Sequence, residues 1–404
     1  MRVEKHIIKS TNKYYPMLKE YCHASKNLYN HANYIVRNNF FKEDKWIRYN
    51  KLDKILKTNL DYPDYKNMPT AQTAQQTLKL LDRNWKSYFK SIKDWSKNKD
   101  KYLGKPKPPK YLKKDVCQNL ILTNQNCKLR DDIISFPKAF NGFSIHTKAV
   151  TKNNFKSFQQ VRLIPRKNKI IAEVIYKINE AKQMDDNERY LGIDIGVNNL
   201  AVVCNNVGLP AFVINGKCVK SINQYYNKES SHYREICKRM NNEDYSRRMD
   251  SLTEKWHLKI EDYFHKSSKY IVDFCLENQI NTIVIGQNKK WKQNSNLSKQ
   301  ANQSFVGIPF AKFITMIQYK ANEKGIAVIL TEESYTSGTS FIDDEEPIEA
   351  NYNKNRRIKR GLFKSNKGIL INADLNGAYQ ILKKVFPIKW DSGCALHPVV
   401  VDIV

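Results

Sequence analysis

Three acidic positions at the ends of predicted elements place the strongest constraint on the fold of this chain. Asp194 closes a short apolar strand, Glu332 and Glu333 follow the apolar run Ile326–Leu330, and Asp374 opens a predicted helix. Acids that come from separate strand ends and from a helix start can converge in space although they are far apart in sequence. The pattern therefore predicts an α/β layer with a cluster of carboxylates at its rim.

The second half of the chain, from residue 185 onward, alternates predicted strands with predicted helices. The strands are Tyr190–Asp194, Leu200–Cys204, Thr282–Gly286 and a buried Ile326–Leu330, and the helices are Trp256–Glu277, Pro309–Lys324 and Asp374–Val385. The run Gly196–Asn199 is typical of a hairpin turn between the first two strands. Strands followed by crossover helices indicate a mixed sheet with buried parallel strands.

The first half has a different pattern. Arg2–Lys9 alternates polar and apolar residues and predicts a strand. Helices follow, with apolar residues recurring at three- and four-residue steps. Residues 116–179 then contain short β runs, which indicates a small barrel or sandwich into which the first strand can pair. Between helices and β runs, residues 97–114 are rich in Lys and Pro, which predicts an extended linker.

The charge balance indicates a polyanionic partner. The 404 residues include 69 basic and 40 acidic ones, which gives a net charge of +29. Such an excess raises affinity for polyanions in a salt-dependent way. No run approaches the roughly 18 apolar residues of a membrane span, and the N-terminus is unlike a signal peptide. We therefore expect a cytoplasmic protein with no membrane partner. The eight cysteines form no C-x-x-C pair, so neither a zinc ribbon nor a disulfide scaffold is expected.

The acidic positions fit one particular chemistry. Two-metal phosphodiester cleavage uses carboxylates to hold two divalent ions about 3.5–4 Å apart, and magnesium prefers such oxygen ligands. Each acid also has a plainer interpretation: Asp374 as a favourable charge at a helix start, and Glu332 and Glu333 as solvated loop acids. On a strongly basic chain, the combination favours the cutting of nucleic acid.

Two strings around these acids resemble those of a known family. Gly192-Ile-Asp-Ile-Gly-Val-Asn-Asn-Leu200 contains Asp194, and Asn372-Ala-Asp-Leu-Asn-Gly-Ala378 contains Asp374. They are similar to the first and third catalytic segments of TnpB proteins, the RNA-guided DNA endonucleases of bacterial insertion sequences that are related to type V CRISPR effectors. Tyr335-Thr-Ser337 resembles the string that precedes the zinc ribbon of that family. The resemblance spans the whole chain, with specific motifs only in its second half.

The resemblance implies an α/β multidomain fold, with an RNase H-like (RuvC-like) nuclease domain and a β-barrel wedge domain that carries a helical recognition insertion. The implied ranges are 1–12 for the first wedge strand, 13–100 for the recognition helices, 101–184 for the wedge barrel and 185–404 for the nuclease domain. The implied partners are a guide RNA and a double-stranded DNA target with a short flanking motif. Two Mg²⁺ ions, replaceable by Mn²⁺, are the implied cofactors, and a bacterial, nucleoid-associated location is implied with them.

The chain departs from the family pattern at the second catalytic acid. In the family this acid ends the strand that closes here with Gly286. Glu333 resembles a rearranged glutamate found in some family members and in eukaryotic relatives, and we favour it over Glu332. The resemblance then implies that Asp194, Glu333 and Asp374 are the catalytic and metal-binding residues.

The chain also departs from the family at the zinc ribbon. Residues 338–368 contain no Cys or His, so no structural zinc is expected. They form instead a charged insertion, with Asp343–Glu346 followed by the basic run Asn355–Arg360. We expect a flexible segment that either shapes the access of a DNA strand to the site or is only a solvated loop. Arg356 and Arg357 are its candidate nucleic-acid contacts.

Two further segments are candidates for contact with nucleic acid. Gln72, Gln75 and Gln76 lie within helical reach of one another in a segment that resembles the family's motif-reading helix, and glutamine bonds adenine edges in the major groove. Trp291 and Lys292 follow the strand that ends at Gly286 and can stack on or line a guide–target duplex. The plainer interpretations are a polar helix face and a core aromatic.

Three other functions stay open at this point. A nuclease-dead, RNA-guided repressor is suggested by Gly286, and magnesium-dependent cutting of matched DNA would exclude it. A DDE-type transposase uses similar carboxylates, and strand joining in a purified reaction would favour it. A compact type V CRISPR effector differs from a transposon protein in its neighbouring DNA rather than in its chain.

Overall fold

The computed structural model describes residues 1–58, 63–152, 154–243, 246–288, 307–391 and 393–403. The expected contacts from Trp291 and Lys292 lie outside these ranges. The chain divides into two compact units, Met1–Asn179 and Glu180–Val404. Both units contain helices and sheets, so the predicted α/β multidomain class is confirmed at that level.

The first unit is built around a four-stranded antiparallel sheet with the order β1-β7-β6-β2. Its strands are β1 (Arg2–Lys9), β2 (Leu120–Thr123), β6 (Phe155–Arg166) and β7 (Lys169–Ile178). The first strand pairs with β7 in a register that runs from Arg2↔Tyr176 to Lys9↔Lys169, which confirms the expected pairing across the helical segment. A second sheet joins β3 (Lys128–Arg130), β4 (Ile133–Ser135) and β5 (Ser144–His146).

Three helices follow β1 and share one apolar core with the sheet: α1 (Tyr15–Glu43), α2 (Tyr49–Thr58) and α3 (Ala71–Lys97). Trp85, on the predicted apolar stripe, is fully buried. Its indole nitrogen donates to Asn33 Oδ1 at 3.1 Å, which satisfies the one polar atom that the stripe buries. Thr70 and Thr73 form a capping box at the start of α3.

The Lys- and Pro-rich segment after α3 is tied to α1. Apart from a single 3-10 turn at Lys99–Lys101, it forms no regular element before β2. Asn30 exchanges two hydrogen bonds with the backbone of Leu112, at 2.9 and 2.8 Å. Asn33 and Arg37 both donate to the carbonyl of Pro109. Side chains of α1 therefore satisfy a backbone that proline keeps out of helices and sheets.

The second unit contains a six-stranded sheet with the order β12-β11-β8-β9-β10-β15. Its strands are β8 (Tyr190–Asp194), β9 (Asn199–Asn205), β10 (Phe212–Asn215), β11 (Thr282–Gly286), β12 (Ala327–Thr331) and β15 (Val399–Val401). The first two form the expected antiparallel hairpin. β8, β11 and β12 are parallel, so the acid-bearing ends of β8 and β12 lie at the same edge.

Helices cover both faces of this sheet. One face packs against α5 (Arg247–Glu277) and α6 (Phe310–Glu323), and the other against α7 (Ala373–Lys383). A long helix, α4 (Lys217–Asn241), packs on α5; it was not predicted, and α5 begins before the expected Trp256. A short hairpin of β13 (Leu362–Lys364) and β14 (Leu370–Asn372) leads into α7.

The expectation of a buried strand at Ile326–Leu330 is wrong. In the described part of the chain β12 is an edge strand that pairs with β11 on one side only. Ile329 and Leu330 are therefore 36% and 41% exposed. Their apolar side chains misled the prediction because composition does not distinguish an edge strand from a central one.

Candidate active site

Side chains of three separate elements line one cavity of about 630 Å³ at the rim of the six-stranded sheet. Asp194 ends β8, Glu333 lies two residues beyond β12, and Asp374 is the second residue of α7. Burial, followed by the negative charges of Glu333 and Asp374, raises the pKa of the Asp194 carboxyl well above its ordinary value. The structure thus brings together the three acids that the sequence singled out.

The first turn of α7 positions Asp374 and admits Asp194 beside it. Asn372 caps the helix, because its Oδ1 accepts hydrogen bonds from the backbone amides of Asp374 and Leu375 at 3.1 and 3.0 Å. One turn later, a Cβ on Gly377 would lie only 3.0 Å from Asp194 Oδ2. A glycine at this position lets the carboxylate of Asp194 lie directly against the helix.

Gly286 marks the place where Glu333 enters the site. A Cβ on Gly286 would lie 2.5 Å from Ile381 Cδ1 and 3.2 Å from Glu333 Oε2. The carboxylate of Glu333 therefore reaches the end of β11, where a side chain at position 286 would begin. Glu332 differs: its side chain is exposed, accepts a hydrogen bond from Ser334, and does not line the cavity.

The loop that carries Glu333 is held by the end of α7. Lys384 Nζ donates to the carbonyls of Glu332 at 2.9 Å and Ser334 at 2.7 Å, one on each side of Glu333. Burial lowers the pKa of this ammonium group. Lys384 was not among the residues predicted from the sequence. A helical signal was present, because residues spaced three and four apart lie on one face of a helix, as do Asp374, Gly377, Ile381 and Lys384.

Asp374 has two partners that the sequence did not reveal. Asn199, at the start of β9, donates to its Oδ2 at 2.8 Å. Arg357 donates to its Oδ1 at 3.0 Å. Lys359 and Arg360 line the same cavity. The candidate nucleic-acid contact Arg357 thus lies among the acids, in a basic wall of the site.

The expectation of a flexible insertion at residues 338–368 is wrong. Asn376 of α7 is fully buried and bonds the backbone of Thr339 and Phe341 at 2.8 and 3.0 Å. The ring of Phe341 stacks on Tyr379 with centroids 4.5 Å apart. The segment is folded because its apolar and backbone groups dock on α7. The prediction of flexibility rested on the charged residues of the segment and did not consider these groups.

Arg356, the other candidate contact in this segment, has a different setting from Arg357. Its guanidinium pairs with Glu345, and the two side chains are only 15% and 16% exposed. The hydrogen bond with Glu345 raises the pKa of Arg356. In this structure the ion pair connects two parts of the insertion, so Arg356 has a structural contact there.

The donor chemistry of the cavity fits a hard divalent cation. Three carboxylates line the cavity, and the absence of a side chain at Gly377 makes room for one of them, that of Asp194. Among the described residues, however, no group of three or more His, Cys, Asp or Glu side chains is arranged to hold a metal ion. The guanidinium of Arg357 occupies one oxygen of Asp374.

Two family models match the chain in its second half and just before it. Residues 173–292 match the OrfB type of IS605 elements, described as a probable transposase. Residues 310–381 match the TNB domain of Cas12f1-like proteins. In these two stretches the chain is similar to TnpB-like proteins. No curated protein matches it in sequence.

Solved structures resemble the chain only distantly. A chain in "Cryo-EM structure of the Cas12f1-sgRNA-target DNA complex" aligns over 96% of this chain and 100% of its own, with 14% identity and a TM-score of 0.39. A chain in "Cryo-EM structure of CRISPR-Cas12f Ternary Complex" aligns over 90% and 80%, with 14% identity and a TM-score of 0.37. One in "Crystal structure of AacC2c1-sgRNA binary complex" aligns over 84% and 63%, with 9% identity and a TM-score of 0.32.

The three candidate glutamines have separate settings in the first unit. Gln72 is engaged by Thr123 and Gln125 and so ties α3 to the end of β2. Gln75 bonds the hydroxyl of Tyr65. Gln76 alone lines a groove of about 590 Å³, together with the basic side chains of Arg48, Lys79, Arg83, Lys86 and Arg162.

None of the helices in the described part of the chain is long and apolar enough to cross a membrane.

Proposed function

We propose that the protein is an RNA-guided DNA endonuclease in which Asp194, Glu333 and Asp374 hold two divalent metal ions. The observation that carries the proposal is the position of Glu333 Oε2, 3.2 Å from the Cβ that Gly286 lacks. Glu333 thereby supplies a carboxylate where the strand ending at 286 has none. A nuclease-dead protein would have no need to fill this place with an acid.

The metal ions, when bound, activate water and stabilise the leaving oxygen of a phosphodiester. The chain's own residues support that chemistry. Asn199 orients the Asp374 carboxylate, and Lys384 fixes the loop that presents Glu333. Lys359 and Arg360 supply positive charge beside the acids, where an incoming phosphate needs it.

The proposal assigns a role to each unit. The second unit would contain the RNase H-like (RuvC-like) nuclease domain, residues 185–404, with residues 338–368 forming part of the wall of its site. Residues 1–12 and 101–184 would form the β-barrel wedge and 13–100 the recognition helices; all of these except 180–184 lie in the first unit. The basic groove beside Gln76 suits a duplex flanking motif, because glutamine reads adenine edges while lysine and arginine bind phosphates.

The proposed partners are a guide RNA and double-stranded target DNA. The charge of +29 supports polyanion binding, and one similar solved structure is a complex of Cas12f1 with sgRNA and target DNA. In this division of labour, base pairing reads the sequence, and the protein reads the heteroduplex by its shape.

The deciding experiment is to purify the protein with its RNA, sequence that RNA and add matched DNA with Mg²⁺. We expect a discrete structured RNA with a variable end, and cutting that is lost in Asp194→Ala and in Asp374→Ala while the RNA still co-purifies. Bulk cellular RNA would count against guidance. Retained cutting by either variant would remove the assignment of the active site.

A further inference from the structure

The contact between Arg357 and Asp374 joins the basic wall of the cavity to one of the acids. Arg357 Nη2 lies 3.0 Å from Asp374 Oδ1, and Asn199 bonds the other oxygen at 2.8 Å. Both carboxylate oxygens of Asp374 thus accept a hydrogen bond from another side chain of the protein. A metal-binding carboxylate must present at least one oxygen to the ion, and a guanidinium charge at that oxygen repels a dication.

Arg357 is placed to leave this contact without disturbing the fold. Its side chain is 39% exposed and that of Asp374 is 35% exposed, so both groups reach solvent. The backbone beside it is fixed independently, because the neighbouring Arg356 is anchored by Glu345. A rotation of the Arg357 side chain would release Asp374 and keep the guanidinium in the same cavity, close to Lys359 and Arg360.

We propose that Arg357 is a built-in competitor of the metal ion: it holds Asp374 as a counter-ion, and a divalent cation must displace it to complete the site. The proposal rests on the proposed function, since it concerns the same three acids. Metal loading and the release of Arg357 from Asp374 are then one event.

The test is the affinity of the full-length protein for Mn²⁺, measured without DNA from the electron paramagnetic resonance signal of unbound Mn²⁺. We expect Arg357→Gln, which removes the charge but keeps hydrogen-bonding capacity, to bind Mn²⁺ about tenfold more tightly than the unmodified protein. Arg357→Lys, which keeps the charge without the planar fork, should fall between the two. Lys354→Gln removes an exposed charge from the same segment and should leave the affinity unchanged.

Two results would contradict the proposal that Arg357 competes with the metal ion. One is an affinity of Arg357→Gln equal to or weaker than that of the unmodified protein. The other is an equal gain in Lys354→Gln, which would show a general effect of net charge. Asp194→Asn separates this question from the proposed function. If Asp194→Asn binds Mn²⁺ as well as the unmodified protein does, the metal site itself is misassigned, whatever Arg357 does.

Discussion

At the scale of single residues, Asp194 carries a charge that the fold disfavours. Burial, and then the charges of Glu333 and Asp374, raise the pKa of its carboxyl well above 3.8. In the unfolded chain the same group ionises at lower pH, so the folded state binds the proton more tightly. The contribution of Asp194 to stability is therefore full below the unfolded-state pKa and is lost as pH rises through the folded-state pKa.

Asp194→Asn should raise the free energy of unfolding at neutral pH in the absence of divalent ions, because it removes this charge. Thermal unfolding between pH 4 and pH 8 measures the effect. For a unit of this size, about 1 kcal/mol corresponds to roughly 2–4 °C in Tm. The gain should grow with pH and vanish in acid.

Asp186→Asn is the matched control for this prediction. Hydrogen bonds from the backbone of Glu188 and from Asn281 lower the pKa of the Asp186 carboxyl, so its contribution has the opposite sign and should give no gain at neutral pH. If Asp194→Asn is no more stable than the unmodified protein at pH 8, the carboxyl does not have the environment described for it.

At the scale of elements, α7 and the residue just after it organise the site. Asp374 lies in its first turn, Gly377 admits Asp194, Ile381 packs against Gly286, and Lys384 clamps the loop of Glu333. One face of one helix therefore sets the spacing of all three acids. A small shift of this face changes the whole cluster.

Lys384→Ala should lower DNA cleavage by about 10- to 100-fold, the usual cost of removing a residue that orients a metal ligand. Affinity for Mn²⁺ should fall with it, while RNA binding stays unchanged, because the lysine acts through Glu333. Lys384→Arg should restore part of the activity. Lys389→Ala removes a 79% exposed lysine nearby and should have no effect; equal losses in both variants would contradict a positioning role.

At the scale of the whole molecule, the net charge of +29 includes five basic side chains that line the groove beside Gln76. Lys79→Ala and Arg83→Ala should each weaken binding of duplex DNA and reduce the slope of log affinity against log salt by about one. A salt titration of DNA binding measures both effects. Lys128→Ala, which removes an exposed lysine of β3 that does not line the groove, should leave the slope unchanged. A uniform change in all three variants would mean that the groove is not the binding surface.

Much of the second unit was predictable because its signals are local. The strand that ends at Gly286 and the hairpin at Gly196–Asn199 match the structure closely, since runs of apolar residues and turn residues report directly on backbone geometry. The acid cluster was predictable from strand ends and from a family resemblance, whereas the lysine that clamps Glu333 was missed.

Contacts between distant segments left no such signal. The Arg357–Asp374 pair joins a charged insertion to a helix, and Asn199 reaches Asp374 across 175 positions. The insertion read as a loose loop because its charges outnumber the few buried groups, such as Phe341, that dock it. Contacts of this kind depend on tertiary packing, which the periodicity of apolar residues does not report.

The central claim is that Glu333 supplies the carboxylate that Gly286 cannot. Its most direct test is guide-dependent DNA cleavage, with Mg²⁺, by Glu333→Gln and by Glu332→Gln, a pair of neighbouring and chemically identical changes. We predict that Glu333→Gln loses more than about 100-fold in rate, beyond the usual cost of losing a supporting residue, and that Glu332→Gln cuts like the unmodified protein. Normal cutting by Glu333→Gln, or a loss confined to Glu332→Gln, would contradict the account.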